Sequence, residues 1–371
     1  MRKPGRICNI LFLILFMSGI PAIAGQSWAD TGGIIKSDKA SSSVALPNTM
    51  SMSETNPART VCISAVGDCT LGFDSNAKPW GRFDQEVIRQ KNKYSYFFDR
   101  VAPILSQDDL TIANLETTLT TASVKEDKSN YKRSFHFKGN PAYANILTAG
   151  SVEAVNLANN HSHDYLSRGY QDTVRVLENS AIAHFGNGVP AFYDINGVKI
   201  GMLGYNATGS FGKGKNLERI RKKVTTDISA LKKECPLVVV SFHWGNEYKY
   251  YADPTQRLLG HCAIDAGADL VLGHHSHVIG PIEIYRGKYI AYSLGNFCFG
   301  GNKNPSDKRT IIFQQTFTID ENNQVVNQAP KIIPCVISSE TGRNNYQPVI
   351  LERDPSSYYN TARSDLLVPR H

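Results

Sequence analysis

Five short stretches of this sequence place oxygen and imidazole side chains directly after apolar runs. They are Gly67-Asp68, Asn114-Leu115-Glu116, Asn159-Asn160-His161, His243-Trp244-Gly245 and Gly273-His274-His275-Ser276-His277. Carboxylates, amides and imidazoles are hard-to-borderline donors suited to Zn, Mn, Fe or Mg. Each stretch alone has a plainer reading. Gly-Asp closes a turn or caps a helix, Asn-Asn-His makes a capping turn, and a lone histidine after valines is a satisfied core residue. Three imidazoles in "GHHSH" are harder to justify by packing. Taken together, five runs ending on the same donor types point to one metal centre.

Such a centre needs elements that bring the five stretches to one edge. The apolar runs "VCISAVG" (61–67), "LTIANLE" (110–116), "VEAVNLA" (152–158), "KIGMLGY" (199–205), "LVVVSFH" (237–243), "DLVLGHH" (269–275) and "YIAYSLGNF" (289–297) read as strands. Helical patterns lie between them near 96–107, 141–149, 168–181, 217–234 and 254–267. Strands alternating with helices imply βαβ units and a largely buried sheet. Ligands in such folds collect where strands deliver their carboxyl ends. Residues 309–338 alternate instead and carry Asp320-Glu321-Asn322-Asn323, which predicts an antiparallel hairpin.

The chain has 371 residues, 41% of them hydrophobic and 20% charged, ample for a buried α/β core. Arg2, Lys3 and Arg6, the apolar run 10–17 and Ala22-Ile23-Ala24 read as a signal peptide over 1–24 or a retained membrane anchor. Either places the rest outside the cell, secreted or on the outer face of the cytoplasmic membrane. Residues 25–58 read as a flexible linker, 59–345 as one domain and 346–371 as a C-terminal tail. Cleavage would lower the formal charge from +7 to +4, with 37 Lys and Arg against 33 Asp and Glu. The basic clusters near 222–224 and 231–233 fall on a helical pattern, so they read as a solvated face and not as a nucleic-acid patch. Six cysteines would remain, none in C-x-x-C spacing, and they read as small buried hydrophobes.

The ordered motifs "GDCTLG", "ANLETTLT", "LANNHSHDY", "SFHWGNEY", "GADLVLGHHSHV" and "YSLGNFCFG" resemble the calcineurin-like metallophosphoesterases, and more specifically the CapA family named for poly-γ-glutamate capsule proteins. The resemblance runs from about residue 61 to 300. It implies a metallophosphatase-like four-layer αββα sandwich around two divalent metal ions. Carried onto matching positions, it makes Asp68 a ligand of one ion and Glu116 a bridging carboxylate. Asn160 and His243 would hold the second ion, His275 and His277 would supply imidazoles, and His161 would stand unligated as general acid. Asp164 would either orient His161 or cap the next helix. Two such ions lower the pKa of a bound water from ~15.7 towards ~7 and so provide hydroxide at neutral pH. This chain departs from the pattern in four ways: Thr70 replaces a first-strand histidine, Glu116 replaces an aspartate, Ser276 stands where the family usually has proline, and "GHHSH" has a histidine to spare. The additional histidine leaves His274 and His275 as alternative ligands, and a single-metal centre is the alternative to two ions. Trp244, Tyr248 and Tyr250 read as residues packed against a loop or, alternatively, as an aromatic wall for a substrate. Arg168 and Lys138 are candidates for anion contacts, and Asn296 for a loop or ligand contact. The function expected is an exported hydrolase of an anionic envelope polymer or a small phosphoester. The alternative is a non-catalytic accessory protein that binds such a polymer or a membrane synthase complex.

Overall fold

The computed structural model describes residues 58–78, 82–130, 134–363 and 365–370. The expected signal peptide and nearly all of the expected linker lie outside the described residues. Among the described residues no helix is long and apolar enough to cross a membrane.

Two large sheets face each other. The first runs in the order Val349–Ile350, Lys331–Val336, Arg309–Ile319, Arg59–Thr70, Leu110–Leu115, Ala154–Asn156, Ala183–Phe185, with Asn296–Phe299 and Val325–Asn327 attached at its sides. The second runs Tyr359–Arg363, Leu366–Pro369, Ile282–Tyr285, Lys288–Ala291, Leu270–His274, Leu237–His243, Val198–Asn206, Ala191–Ile195. Alternation along each strand sends successive side chains to opposite faces, and three apolar layers result. Val61, Ile63, Leu110, Met202, Val239, Leu270 and Phe313 pack between the sheets. Val66, Cys69, Leu115, Ile146 and Leu177 pack the outer face of the first sheet against its helices. Val224, Ile228, Val240, Leu259 and Val271 do the same for the second. The architecture is therefore the four-layer αββα sandwich that the resemblance implies.

The expected helices are present as Ala144–Ala149, Leu166–Asn179, Gly214–Leu231 and Pro254–Asp265, while the 96–107 pattern yields only the short turns Tyr94–Phe97 and Ala102–Leu105. Asp253 and Gln256 close a capping box on Pro254–Asp265, each side chain accepting the other residue's backbone N–H at 2.9 Å. The hairpin also forms. Its turn is held by the Asp320 carboxylate, which accepts from Asn322 N at 2.9 Å and Gln324 N at 2.7 Å.

Two expectations need correction. The run 289–297 is two strands in different sheets, Lys288–Ala291 in the second and Asn296–Phe299 in the first. The chain crosses between them through Gly295 at φ +76°, a turn that a continuous apolar run conceals. Residues 346–371 are not a separate tail. Val349–Ile350 joins the first sheet, and the Tyr359–Arg363 and Leu366–Pro369 hairpin extends the second. Strands of two to five residues carry too few alternations to be read from sequence.

Candidate metal centre

The same alternation that builds the inner layer builds the site. Val61, Ile63 and Ala65 face inward. A register shift between Ala65 and Asp68 then turns Asp68 inward as well. Gly67 occupies this irregularity because a Cβ there would lie 2.0 Å from the Gly295 carbonyl oxygen. Pairing sets Asn296, Asp68, Asn114 and Asn156 in one row across the first sheet. It sets Asn206, His243 and His274 in one row across the second. The two polar rows cap the apolar layer where the strands end, and the loops after them add Glu116, Asn160, His161, His275 and His277.

Asn114 ties the two sheets together. Its Nδ2 donates to Asp68 Oδ1 at 2.9 Å and lies 3.2 Å from His243 Nδ1. Its Oδ1 accepts from Asn156 and Asn159 at 3.1 and 3.3 Å. Asp68 Oδ2 accepts from His275 N at 3.2 Å and lies 3.3 Å from His277 Nδ1, while Oδ1 lies 3.4 Å from His274 Nδ1. His243 Nε2 faces Asn160 Oδ1 at 2.7 Å and Glu116 Oε1 at 3.4 Å. Ligand atoms of Glu116, His275 and His277 all lie within 4.8 Å of one another. His277 Nδ1 meets Asn296 Oδ1 at 2.9 Å, so that amide orients the ring. His275 and His277 adopt positive φ, +91° and +57°. Such backbone strain in non-glycine residues gathers at functional sites.

His161 stands beside this group, with Nε2 3.9 Å from Glu116 Oε1. Its Nδ1 meets Asp164 Oδ2 at 2.8 Å. The same Asp164 oxygen accepts from Phe137 N at 2.6 Å, and Lys128 Nζ pairs with Oδ1. The helix Leu166–Asn179 has no side-chain cap, so of the two roles expected of Asp164, orienting His161 is the one that its contacts match. Lys128 is only 11% exposed. It comes from the loop after Glu116, which a further backbone bond pins down, Glu126 N to Asp164 O at 3.0 Å.

Burial and mutual proximity divide the charges. Burial opposes ionisation of Asp68, but the His274 and His277 imidazoles hold its carboxyl well below the usual range. Burial, reinforced by the Asp68 charge, pushes Glu116 well above it. Burial and the neighbouring His277 push His275 down to about 3, and burial and His275 push His243 well down. Burial also works against a charge on His277, yet Glu116 and Asp68 outweigh it and raise this ring to about 9.

Residues 62–301 match the model of the bacterial capsule synthesis protein family PGA_cap. The chain belongs to the PGA_cap family. It is 34% identical over 255 residues to the PGA biosynthesis protein CapA of Bacillus subtilis, covering 64% of this chain and 62% of that one. It is 30% identical over 243 residues to the capsule biosynthesis protein CapA of Bacillus anthracis, covering 59% and 57%. The matches thus span about three fifths of the length of these curated relatives. Among solved structures the chain is similar to the NAD nucleotidase of Haemophilus influenzae at 12% identity and a TM-score of 0.38, over 78% of this chain and 54% of that one.

In this PGA_cap chain the donors fit divalent metal. Both Glu116 carboxylate oxygens, both ring nitrogens of His274 and Nδ1 of His275 are buried without hydrogen-bond partners. Buried polar atoms rarely lack partners. Several orphans at one place, each a metal-ligand type, match a cation-binding centre. Asp68, Glu116, Asn160, His161, Asp164, His243, His275 and His277 are all brought together. The aromatic wall is not. Trp244 is fully buried, stacks on Phe242 at 4.3 Å and donates to the Tyr292 carbonyl at 2.9 Å, while Tyr250 donates to Asp307 at 2.9 Å. Tyr248 alone faces the centre, 54% exposed, with its ring 6.3 Å from His277. Arg168 is engaged by Asp172 at 2.9 Å on the helix surface, and Lys138 by the Ala122 carbonyl at 3.0 Å. Sequence reading gave no role to Asn114 or Lys128. Asn114 has a legible signal, two residues before Glu116 and on the same strand face; Lys128 has none, because its partner is 36 residues away.

Proposed function

We propose that this protein is an exported, metal-dependent hydrolase of capsule, poly-γ-glutamate or other cell-envelope polymer metabolism, acting on a phosphoester or a related ester or amide. The observation that carries this reading is His161. It sits beside the ligand cluster with one ring nitrogen committed to Asp164 and the other turned towards the centre. A centre that only bound a polymer would need no such oriented acid.

Asp68 would hold one cation, Asn160 and His243 a second, with Glu116 between them and imidazoles from His275 and His277. When bound, divalent metal supplies Lewis acidity towards an ester oxygen and acidifies water. The protein's own part is positioning and proton transfer. Asp164 accepts from His161 Nδ1 and, against the burial that lowers this imidazole's pKa, favours the doubly protonated ring. Its Nε2 proton would pass to the departing oxygen and leave the neutral ring with its Nδ1–H on Asp164. Asn114 holds Asp68 and His243 at fixed separation, and Asn296 holds His277. Thr70 favours the second reading, a non-catalytic accessory role at a membrane synthase complex. Its hydroxyl donates to the Glu116 carbonyl at 3.2 Å and offers no imidazole.

The test is metal content and turnover of an aryl phosphodiester and a phosphomonoester by the full-length chain, with His161→Ala alongside. Two metals, turnover, and a loss of about 10²–10⁴-fold in rate with metals retained in His161→Ala would support the hydrolase. Metal without turnover on either ester would favour the accessory reading. Absence of metal binding would overturn both uses of the centre.

A further inference from the structure

We infer that His274 is a metal ligand, supplying beside Asp68 the imidazole that Thr70 does not. The inference rests on the proposed metal centre and adds a residue to it. His274 is the last residue of the strand Leu270–His274 and faces inward, following Leu270 and Leu272 in the layer between the sheets. Register places it directly beside His243, and its Nδ1 lies 3.4 Å from Asp68 Oδ1. Only 1% of it is exposed, Nε2 has no hydrogen-bond partner, and Nδ1 has only the long approach to Asp68 Oδ1. A packing histidine would not remain so, because a buried polar atom left unpartnered costs about 1–3 kcal/mol.

The surrounding contacts show why this position is available. Asp68 has its two oxygens turned to two different imidazoles, His274 on Oδ1 and His277 on Oδ2. Glu116, His275 and His277 already form one compact donor group, and Asn160 pairs with His243. Asp68 and His274 are therefore the donors left over, and they adjoin that group through the contact of Asp68 with His277. Thr70, two residues beyond Asp68, is turned away to the Glu116 backbone. The histidine to spare in "GHHSH" thus fills a place from the second sheet that the first strand leaves open. A cation shared by Asp68 and His274 would bridge the two sheets at the depth where their polar rows meet.

The test is calorimetric titration of metal-stripped full-length chain with Mn2+, together with the visible absorption of the Co2+-loaded chain. Wild type, His274→Gln and His274→Ala would be compared, with circular dichroism of the stripped forms confirming folding. The expected result is two Mn2+ per chain for wild type. One of the two sites should weaken at least 100-fold in both variants, and the Co2+ spectrum should change accordingly. Free imidazole should restore the second site in His274→Ala, because it can enter the space left behind; a residue that only packs or orients Asp68 would not be replaced in this way. Two Mn2+ bound by either folded variant with affinities within threefold of wild type would overturn the inference while leaving the metal centre standing. Weakened binding without imidazole rescue or a spectral change would also overturn it, making His274 a positioning residue. If wild type itself bound no metal, the failure would belong to the proposed function.

Discussion

Asp164→Asn is the most informative single change at the centre, because it keeps shape and removes charge. Asp164 is fully buried and its two oxygens take three donors: His161 Nδ1, Phe137 N and Lys128 Nζ. An asparagine has one oxygen and one amide nitrogen. If its oxygen keeps His161 and Phe137, its NH2 faces the Lys128 ammonium. If it flips, it faces the His161 N–H and Phe137 N–H instead. Either way a charge-assisted bond of about 1.5–3 kcal/mol is lost at His161 or at Lys128. Lys128 keeps weaker partners, the Phe135 carbonyl at 3.2 Å and Glu126 at 3.6 Å. The global stability loss should accordingly stay at about 2–3 kcal/mol, below the ~3–5 kcal/mol of an ion left without any partner. If the loss falls on His161, the rate on a responsive ester should drop about 10–100-fold with KM little changed, since 1.36 kcal/mol corresponds to tenfold. The assay is steady-state kinetics across pH with metal content and urea unfolding on the same samples. Lys128→Met should show the same split of kcat from KM with a smaller effect. Wild-type kcat in Asp164→Asn, with metals retained, would refute the claim that this carboxylate orients the acid.

Three further outcomes follow from the geometry. Glu86 is buried and receives Arg343 at 2.7 Å, Arg89 at 2.5 Å and Gln90 at 2.8 Å; burial works against its ionisation, but Arg343, Gln90 and Arg89 hold its carboxyl below the ordinary value of 4.5. Because its folded pKa is depressed, its stabilisation is fully present above about pH 4.5 and disappears as pH falls through the folded value. Glu86→Gln should therefore cost about 1–2 kcal/mol at pH 7 and nothing at low pH, checked by unfolding at both. Trp244→Ala should cost about 3–5 kcal/mol of stability, whereas Tyr248→Ala should leave stability unchanged and raise KM, read by thermal melts and kinetics side by side. Gly67→Ala would force its Cβ to 2.0 Å from the Gly295 oxygen and so displace Asp68; loss of metal affinity together with a lowered Tm is expected, and a wild-type Tm would contradict the assigned backbone approach.

The centre was legible in the sequence because its donors lie at strand ends. An apolar run followed at once by Asp68, Glu116, Asn160, His243 or His277 is a local signal, and strand order does the rest. The same local logic found the helices Ala144–Ala149, Leu166–Asn179, Gly214–Leu231 and Pro254–Asp265 and the Asp320 turn, but not the helix Phe83–Arg89. Contacts with distant partners were not legible. Asn114 meets His243 only because the sheets fold face to face, and Lys128 meets Asp164 only because the segments after two neighbouring strands of the first sheet come together. Sequence left Trp244 between packing and a substrate wall, and alternation along the strand end decided for packing by turning it into the apolar layer beside Phe242 and Tyr292. The split of residues 289–297 between two sheets depends on the turn at Gly295 and on which strand edges were free to pair. Residue types and their period thus determined which groups reach one end of the sandwich. Only tertiary structure decided which of them face one another, since register, the shift before Asp68 and the spacing of the sheets are set by packing across the whole inner layer.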